Sequence, residues 1–139
     1  MTNTKLSLGI TVRLGTDYAT ALTRTVEALK AEGFGVLTRI DVQATLKEKL
    51  GEDFRPYSIL GACNPALAHR ALQTDPVVGL MLPCNVTVEA DPLGGSLARI
   101  ANPDIMLGVG GLEHNEALQE VATTARVKLE RVAESLLEG

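Results

Sequence analysis

Two cysteines, each followed directly by an asparagine, are the residues in this chain whose types and spacing could do chemistry. Cys63 lies in the sequence GACNP and Cys84 lies further along, in LPCN, and there is no other cysteine. A thiolate can attack an electrophile, exchange with a disulfide or bind a soft metal ion. Together with their neighbours they form a predicted ligand-binding site that consists of Gly61, Cys63, Asn64, Pro83, Cys84 and Asn85.

Cys63 has two interpretations. It directly precedes Asn64 and Pro65, which predict the start of a helix, and the positive end of a helix favours a thiolate. Cys63 would then be a nucleophile. Alternatively, it is a small buried residue at a crowded turn between a strand and a helix, where free cysteines are common.

Cys84 alternates with Val86 and Val88, which indicates a buried position in a strand. If the segments that carry Cys63 and Cys84 are neighbours, the two sulfur atoms could face one pocket. They could then exchange between dithiol and disulfide, with Cys63 as nucleophile and Cys84 as its resolving partner, or bind a soft metal ion. Both cysteines are therefore candidate catalytic residues.

The sequence predicts no metal site and no cofactor. The other residues that could act as ligands are His69, His114, Asp75 and Glu113, and none of them falls at a recognised metal-binding spacing. Structural zinc sites usually repeat regular pairs of Cys or His, and the two cysteines do not form such a pair.

Composition limits the class of protein. The 139 residues fit one domain, over 1–139, and the net charge of −4 argues against a nucleic-acid or anionic-membrane surface. The N-terminus has no apolar stretch of the kind found in signal peptides, and the most apolar run, residues 77–82, is too short to span a membrane. We therefore expect a cytoplasmic protein, in which the cysteines are not a permanent structural disulfide.

The first half of the chain alternates between strand and helix patterns. Apolar residues at every second position predict a strand over residues 6–14, and the alternation of Phe34, Val36, Thr38 and Ile40 predicts a second strand with one buried face. A helical stripe that Thr16 or Asp17 can cap predicts a helix over 17–32, and Asp41 begins a short helix that ends at Gly51. Residues 57–62 read as a third strand.

The second half contains more strands and a long helix. A short helix over 65–73 should pack Leu67 and Leu72 inward, and residues 77–82 should resume extended structure until Pro83 interrupts it. Strands over 84–90 and 96–101 should pair as a hairpin. A closing helix then presents a stripe formed by Leu118, Val121, Ala122, Ala125, Leu129, Val132, Ala133 and Leu136. These elements predict an α+β fold.

The two cysteine motifs carry a family resemblance. GACNP with its following helix, and GLMLPCNVTV over residues 79–88, resemble the bacterial and archaeal family called domain of unknown function 302, and the likeness extends over nearly the whole chain. The resemblance implies a curved, mainly antiparallel sheet backed by two long helices, similar to the TATA-binding-protein-like class, and a homodimer. It implies no established activity.

Three functions remain open from the sequence. The first is a regulatory or binding module that accepts a small molecule near GACNP and LPCN. The second is a thiol-dependent redox or sulfur-transfer protein that uses Cys63 with Cys84. The third is a structural homodimer in which the motifs hold a tight corner of the sheet. No recognised catalytic constellation decides whether the protein is an enzyme.

Overall fold

The computed structural model describes residues 7–138, and its centre is a five-stranded sheet in which every neighbouring pair is antiparallel. The strands lie in the order β1-β5-β4-β3-β2. They are β1 (Gly9–Leu14), β2 (Gly35–Asp41), β3 (Tyr57–Cys63), β4 (Cys84–Ala90) and β5 (Ser96–Ala101). The predicted α+β class is confirmed. The predicted start of the first strand at Leu6 lies outside the described residues.

Within residues 7–138, five α-helices and two 3₁₀ helices connect and cover these strands. The α-helices are α1 (Tyr18–Ala31), α2 (Val42–Leu50), α3 (Pro65–Thr74), α4 (Pro103–Met106) and α5 (Glu116–Glu138), and the 3₁₀ helices are Pro76–Met81 and Leu112–His114. Three predicted caps form as expected. The side chains of Asp17, Asp41 and Asn64 accept hydrogen bonds of 2.8, 3.0 and 3.2 Å from the backbone N–H groups three residues later. No helix within residues 7–138 combines the length and apolarity needed to cross a membrane.

One face of the sheet is covered by helices, and we call it the covered face. Alternate strand residues are buried there, as their spacing of two requires. They are Val12, Leu14, Leu60, Ala62, Val86, Val88, Ala98 and Ile100. The whole apolar stripe predicted for the closing helix is buried as well. The long helices α1 and α5 pack on each other and on the sheet, so the core lies between them and the strands.

The other face of the sheet carries the intervening residues, and we call it the open face. One cross-strand row runs through all five strands in register: Thr11, Arg99, Thr87, Ile59 and Ile40. An adjacent row contains Arg13, Leu97, Glu89 and Tyr57. The two faces therefore differ sharply in chemistry, because polar and charged side chains are concentrated on the open face.

The predicted buried face of β2 is wrong beyond Val36. Val36 pairs with Ala62 on the covered face, but the register then shifts by one residue, so that Thr38 pairs with Gly61. A one-residue slip turns every later side chain to the opposite face. Ile40 consequently lies on the open face and is 49% exposed, and β2 forms an edge of the sheet.

The predicted extended segment over residues 77–82 is also wrong, because Pro76–Met81 forms a 3₁₀ helix. The side chain of Asp75 accepts a hydrogen bond of 3.0 Å from the backbone N–H of Val77, and Pro76 occupies the first helical position. This pair is a helix-start signal. A short apolar run does not by itself distinguish a strand from a buried helical turn.

Leu72 does not pack inward as predicted. Leu67 is buried, but the second buried residue of α3 is Ala71, four positions later, whereas Leu72 is 41% exposed. Residues four apart lie on one face of a helix, and a fifth step turns the side chain well away from it. Leu72 lies instead at the edge of the pocket described below.

Candidate functional site

The two cysteine motifs meet where neighbouring strands end. β3 runs into Cys63, and β4 begins at Cys84, with Ala62 and Cys84 directly opposite each other in the antiparallel pairing. Cys63 thus lies one residue beyond the partner of Cys84. The segments that carry the two cysteines are therefore neighbours, which was the condition for a shared pocket. Both cysteines are free thiols.

A pocket of about 250 Å³ opens beside these thiols on the covered side of the sheet. Cys63, Asn64, Pro83 and Cys84 contribute to its wall. The rest of the lining is almost entirely apolar: Phe34, Leu37, Ala62, Leu67, Ala68, Ala71, Leu72, Met81, Leu82, Pro103, Met106, Leu107, Val121 and Ala125. Such a lining favours a nonpolar ligand over a charged one, since a buried charge requires partners that these side chains do not supply.

Each thiol is positioned by a distinct local feature. Asn64 caps α3 through its side-chain oxygen, so the helix begins immediately after Cys63. Cys84 follows Pro83, whose peptide bond with Leu82 is cis, and the strand begins at the cysteine itself. The first arrangement was predicted from the Cys-Asn-Pro order; in the second, the start of the strand at Cys84 was predicted and the cis peptide bond was not.

The surroundings hold Cys84 in its neutral form. Burial in the apolar wall is the larger cause, and repulsion from the thiolate charge of Cys63 is the smaller one; together they raise the pKa of Cys84 from 9.0 to about 11. Electrostatic influence of one thiol on the other is consistent with their adjacent strand positions. At neutral pH Cys84 is therefore a protonated, weakly nucleophilic group.

Two of the predicted site residues lie elsewhere. Gly61 is opposite Asn85 in the pairing of β3 with β4, and both lie on the open face. A Cβ atom at Gly61 would collide with the Thr38 hydroxyl and would come within 2.8 Å of Cγ of Pro83. Gly61 thus allows Pro83 to pack against β3, while Asn85 is exposed beside a second cavity. Neither residue lines the thiol pocket.

The metal-ligand candidates do not assemble around the thiols. His69 and His114 are exposed, and within residues 7–138 no group of three or more His, Cys, Asp or Glu side chains is arranged to hold a metal ion. The pocket therefore offers two thiol groups but no carboxylate or imidazole ligand set of the usual kind.

The residues that close the pocket from the far side were not predicted from the sequence. Pro103 and Met106 come from α4, and Val121 and Ala125 come from α5. The α5 stripe was predicted to be buried, but no local pattern indicates which of its members face a pocket. Ala125 is small, and a small side chain at this point leaves room that a leucine would fill.

We expect the raised pKa of Cys84 to make the free energy of unfolding fall as the pH rises above 9. Below pH 9 the thiol is protonated in both the folded and the unfolded chain; between 9 and about 11 the unfolded chain ionises first, so folding loses stability as pH rises. The loss is no more than about 2 to 3 kcal/mol. Urea unfolding of the wild type and Cys84→Ala, from pH 8 to 11, measures it.

The difference in unfolding free energy between these two proteins is the relevant quantity, because other groups titrate equally in both. As the pH rises from 8 to 11, the wild type should lose unfolding free energy relative to Cys84→Ala. A difference that stays constant over this range would show that Cys84 ionises normally in the folded protein.

Comparison with known proteins assigns the family. The family model described as "Domain of unknown function DUF302" matches residues 10–136. A crystal structure of an uncharacterized conserved DUF302 protein from Bacillus stearothermophilus superposes with a TM-score of 0.81 at 33% identity, covering 92% of this chain and 97% of that one. No curated protein sequence matches. The resemblance inferred from the cysteine motifs is confirmed, and the chain belongs to the DUF302 family.

Proposed function

We propose that this protein is a binding module that accepts a small nonpolar molecule in the pocket beside Cys63 and Cys84. The observation that carries the proposal is the lining itself: 18 residues from separate segments of the chain meet around about 250 Å³, and nearly all of them present carbon or sulfur atoms. Most binding sites for small molecules are apolar cavities with a few polar groups that set orientation.

The few polar groups lie at one side of this pocket. Asn64 already uses its side-chain oxygen to cap α3, which leaves its amide N–H groups as the hydrogen-bond donors of the wall. The neutral thiol of Cys84 is a weak donor and behaves largely as a small apolar group. The ligand would therefore be mainly hydrocarbon or aromatic, with at most one acceptor directed at Asn64.

We expect a bulky side chain at residue 68 to block this binding. Ala68 lines the pocket from α3, whereas Ala66, on the same helix, is exposed and does not line it. Ala68→Phe should fill the cavity and weaken binding at least tenfold, and Ala66→Phe should leave it unchanged. The probe is N-phenyl-1-naphthylamine, an uncharged dye that fluoresces in apolar surroundings.

The protein has no tryptophan, so its own emission interferes little with that of the dye. Thermal melting of both variants controls for misfolding. The proposal fails if the wild type gives no saturable fluorescence increase, or if the two phenylalanine variants bind the dye equally well.

A second function, thiol-disulfide exchange, is favoured by one observation, the placement of the two cysteines at the ends of paired strands. In such a reaction the Cys63 thiolate attacks a small disulfide and releases one thiol. Cys84 then loses its proton and attacks the mixed disulfide, which releases the second thiol and leaves an intramolecular disulfide. The raised pKa of Cys84 opposes this second step at neutral pH.

Oxidised glutathione distinguishes the two functions. For a binding module we expect the mixed disulfide at Cys63 to persist at pH 7.5, because Cys84 remains protonated and resolves it slowly. Intact-mass measurement over time follows each species, and Cys84→Ala is the control in which resolution is impossible. Rapid conversion to the intramolecular disulfide in the wild type would establish the exchange function instead.

A further inference from the structure

The open face of the sheet contains a second cavity, of about 490 Å³, which is separate from the thiol pocket. Its floor and walls include Gly9, Thr11, Thr87, Arg99 and Ala101, all from β1, β5 and β4. Leu8, Tyr57, Asn85, Ile100 and Met106 complete the lining. We call this cavity the open-face groove. Unlike the thiol pocket, it combines apolar side chains with a guanidinium, hydroxyl groups and an amide.

The side chains along the groove follow from strand register. Gly9 pairs with Ala101, and these two residues of minimal size form a depression at one end. In the next row Thr11, Arg99 and Thr87 are directly opposite one another, so that a guanidinium lies between two hydroxyl-bearing side chains. Residues directly opposite on one face of antiparallel strands bring their side chains within contact distance.

Arg99 is held in place by an ion-pair network. The buried carboxylate of Glu89 bonds to Nη1 of Arg99 through one oxygen and to Nε of Arg55, at 2.5 Å, through the other. Arg55 in turn lies over the Phe54 ring at 4.5 Å. A guanidinium fixed in this way loses little side-chain entropy when it binds a ligand.

The same network carries an excess of positive charge. It consists of Arg55 and Arg99 with Glu89, while Arg13 and Asp91 form a separate ion pair of zero net charge. Two positive groups and one negative group leave a net charge of +1 in the network, in a chain whose overall charge is −4. The groove therefore attracts an anion although the protein as a whole repels one.

Thr87 adds an independent indication. Its hydroxyl oxygen is buried and has no hydrogen-bond partner among the described residues. Buried polar groups are almost always paired, and an unpaired one costs free energy that a ligand acceptor could recover. Thr87 is the direct cross-strand neighbour of Arg99, and both residues line the groove.

We propose that the open-face groove binds a small carboxylate with a short apolar tail, the carboxylate on Arg99 and the tail over Ala101 between Leu8 and Met106. Arginine matches a carboxylate in shape and charge, and its N–H groups other than the one bonded to Glu89 supply the donors. Leu8 is a large apolar side chain that is 77% exposed, and a tail lying against it would remove that surface from water.

Hexanoate is a suitable probe, and hexan-1-ol, with the same tail but no charge, is its matched control. In ¹H–¹⁵N spectra we expect hexanoate to shift the amide signals of Thr11, Thr87 and Arg99 saturably, with weaker binding at higher salt. Hexan-1-ol should not shift these signals at the same concentrations. Shifts confined to the thiol pocket, at Leu67 and Ala71, would overturn the proposal.

Substitutions test the assigned roles. Arg99→Gln should weaken hexanoate binding roughly ten- to a hundredfold, because it removes a charged hydrogen bond. Arg131→Gln is the matched control, since Arg131 is also half exposed and paired with a glutamate, Glu32, but lies on α5. If Arg99→Gln does not fold, Arg99→Lys and Thr87→Val serve in its place, each with a several-fold loss expected.

Three results would overturn the proposal. The first is equal shifts with hexanoate and hexan-1-ol. The second is unchanged binding in the Arg99 and Thr87 variants. The third is open-face signals that depend on protein concentration and do not respond to hexanoate, which would show that a second copy of the chain covers this face.

Discussion

The packing of α5 on the covered face of the sheet is the interaction on which the rest of the structure depends. Its eight buried stripe residues span most of the helix, and α5 packs against α1, α3, α4 and the edge strand β1. A single five-stranded sheet with one bare apolar face would not be stable in water, because that face must be covered by another layer. Helix α5 supplies that layer over β1 together with α1, which packs on β2, β4 and β5, and it also fixes the far wall of the thiol pocket through Val121 and Ala125.

The thiol pocket is a space that the packing of these helices leaves unfilled. α3 and α4 both pack against α5, and the pocket that these helices line lies beside the end of β3 and the start of β4. Small side chains at Ala68, Ala71 and Ala125 leave space there. The two cysteines border that space, and the same apolar surroundings that would bind a nonpolar molecule keep the Cys84 thiol protonated. These apolar surroundings thus favour the binding of a nonpolar molecule and oppose an acid-base or redox role for Cys84.

The open face has the opposite character, because alternate residues of the same strands point to it. Val86 and Val88 are buried in the core, while Thr87 between them and Glu89 after them belong to the polar groove and its ion pairs. Met106 of α4 lines both cavities, and β3 and β4 also contribute residues to each of them. One short stretch of β4 therefore contributes to two chemically distinct surfaces, which is a direct consequence of the two-residue period of a strand.

Local signals in the sequence predicted most elements, and long-range contacts decided the rest. Caps at Asp17, Asp41 and Asn64 and the stripe of α5 depend on neighbours within a few residues, and each was found as expected. The register shift after Val36 could not be predicted, because it arises from pairing with β3. The approach of Cys63 to Cys84 required the strand order, whereas the separation of Asn85 from Cys84 follows from the two-residue alternation along β4, which is visible in the sequence. The residues contributed by α4 and α5 carry no local signature of a pocket.

The most direct test of the central claim is a crystal structure determined under xenon pressure. Xenon enters apolar cavities that accept nonpolar molecules and is excluded from polar, hydrated ones. We expect a xenon peak between Leu67, Cys84 and Met106, with the surrounding side chains essentially unmoved. Ordered water hydrogen-bonded in that position, or a pocket closed by its own side chains, would contradict the claim that this site is a preformed apolar binding pocket.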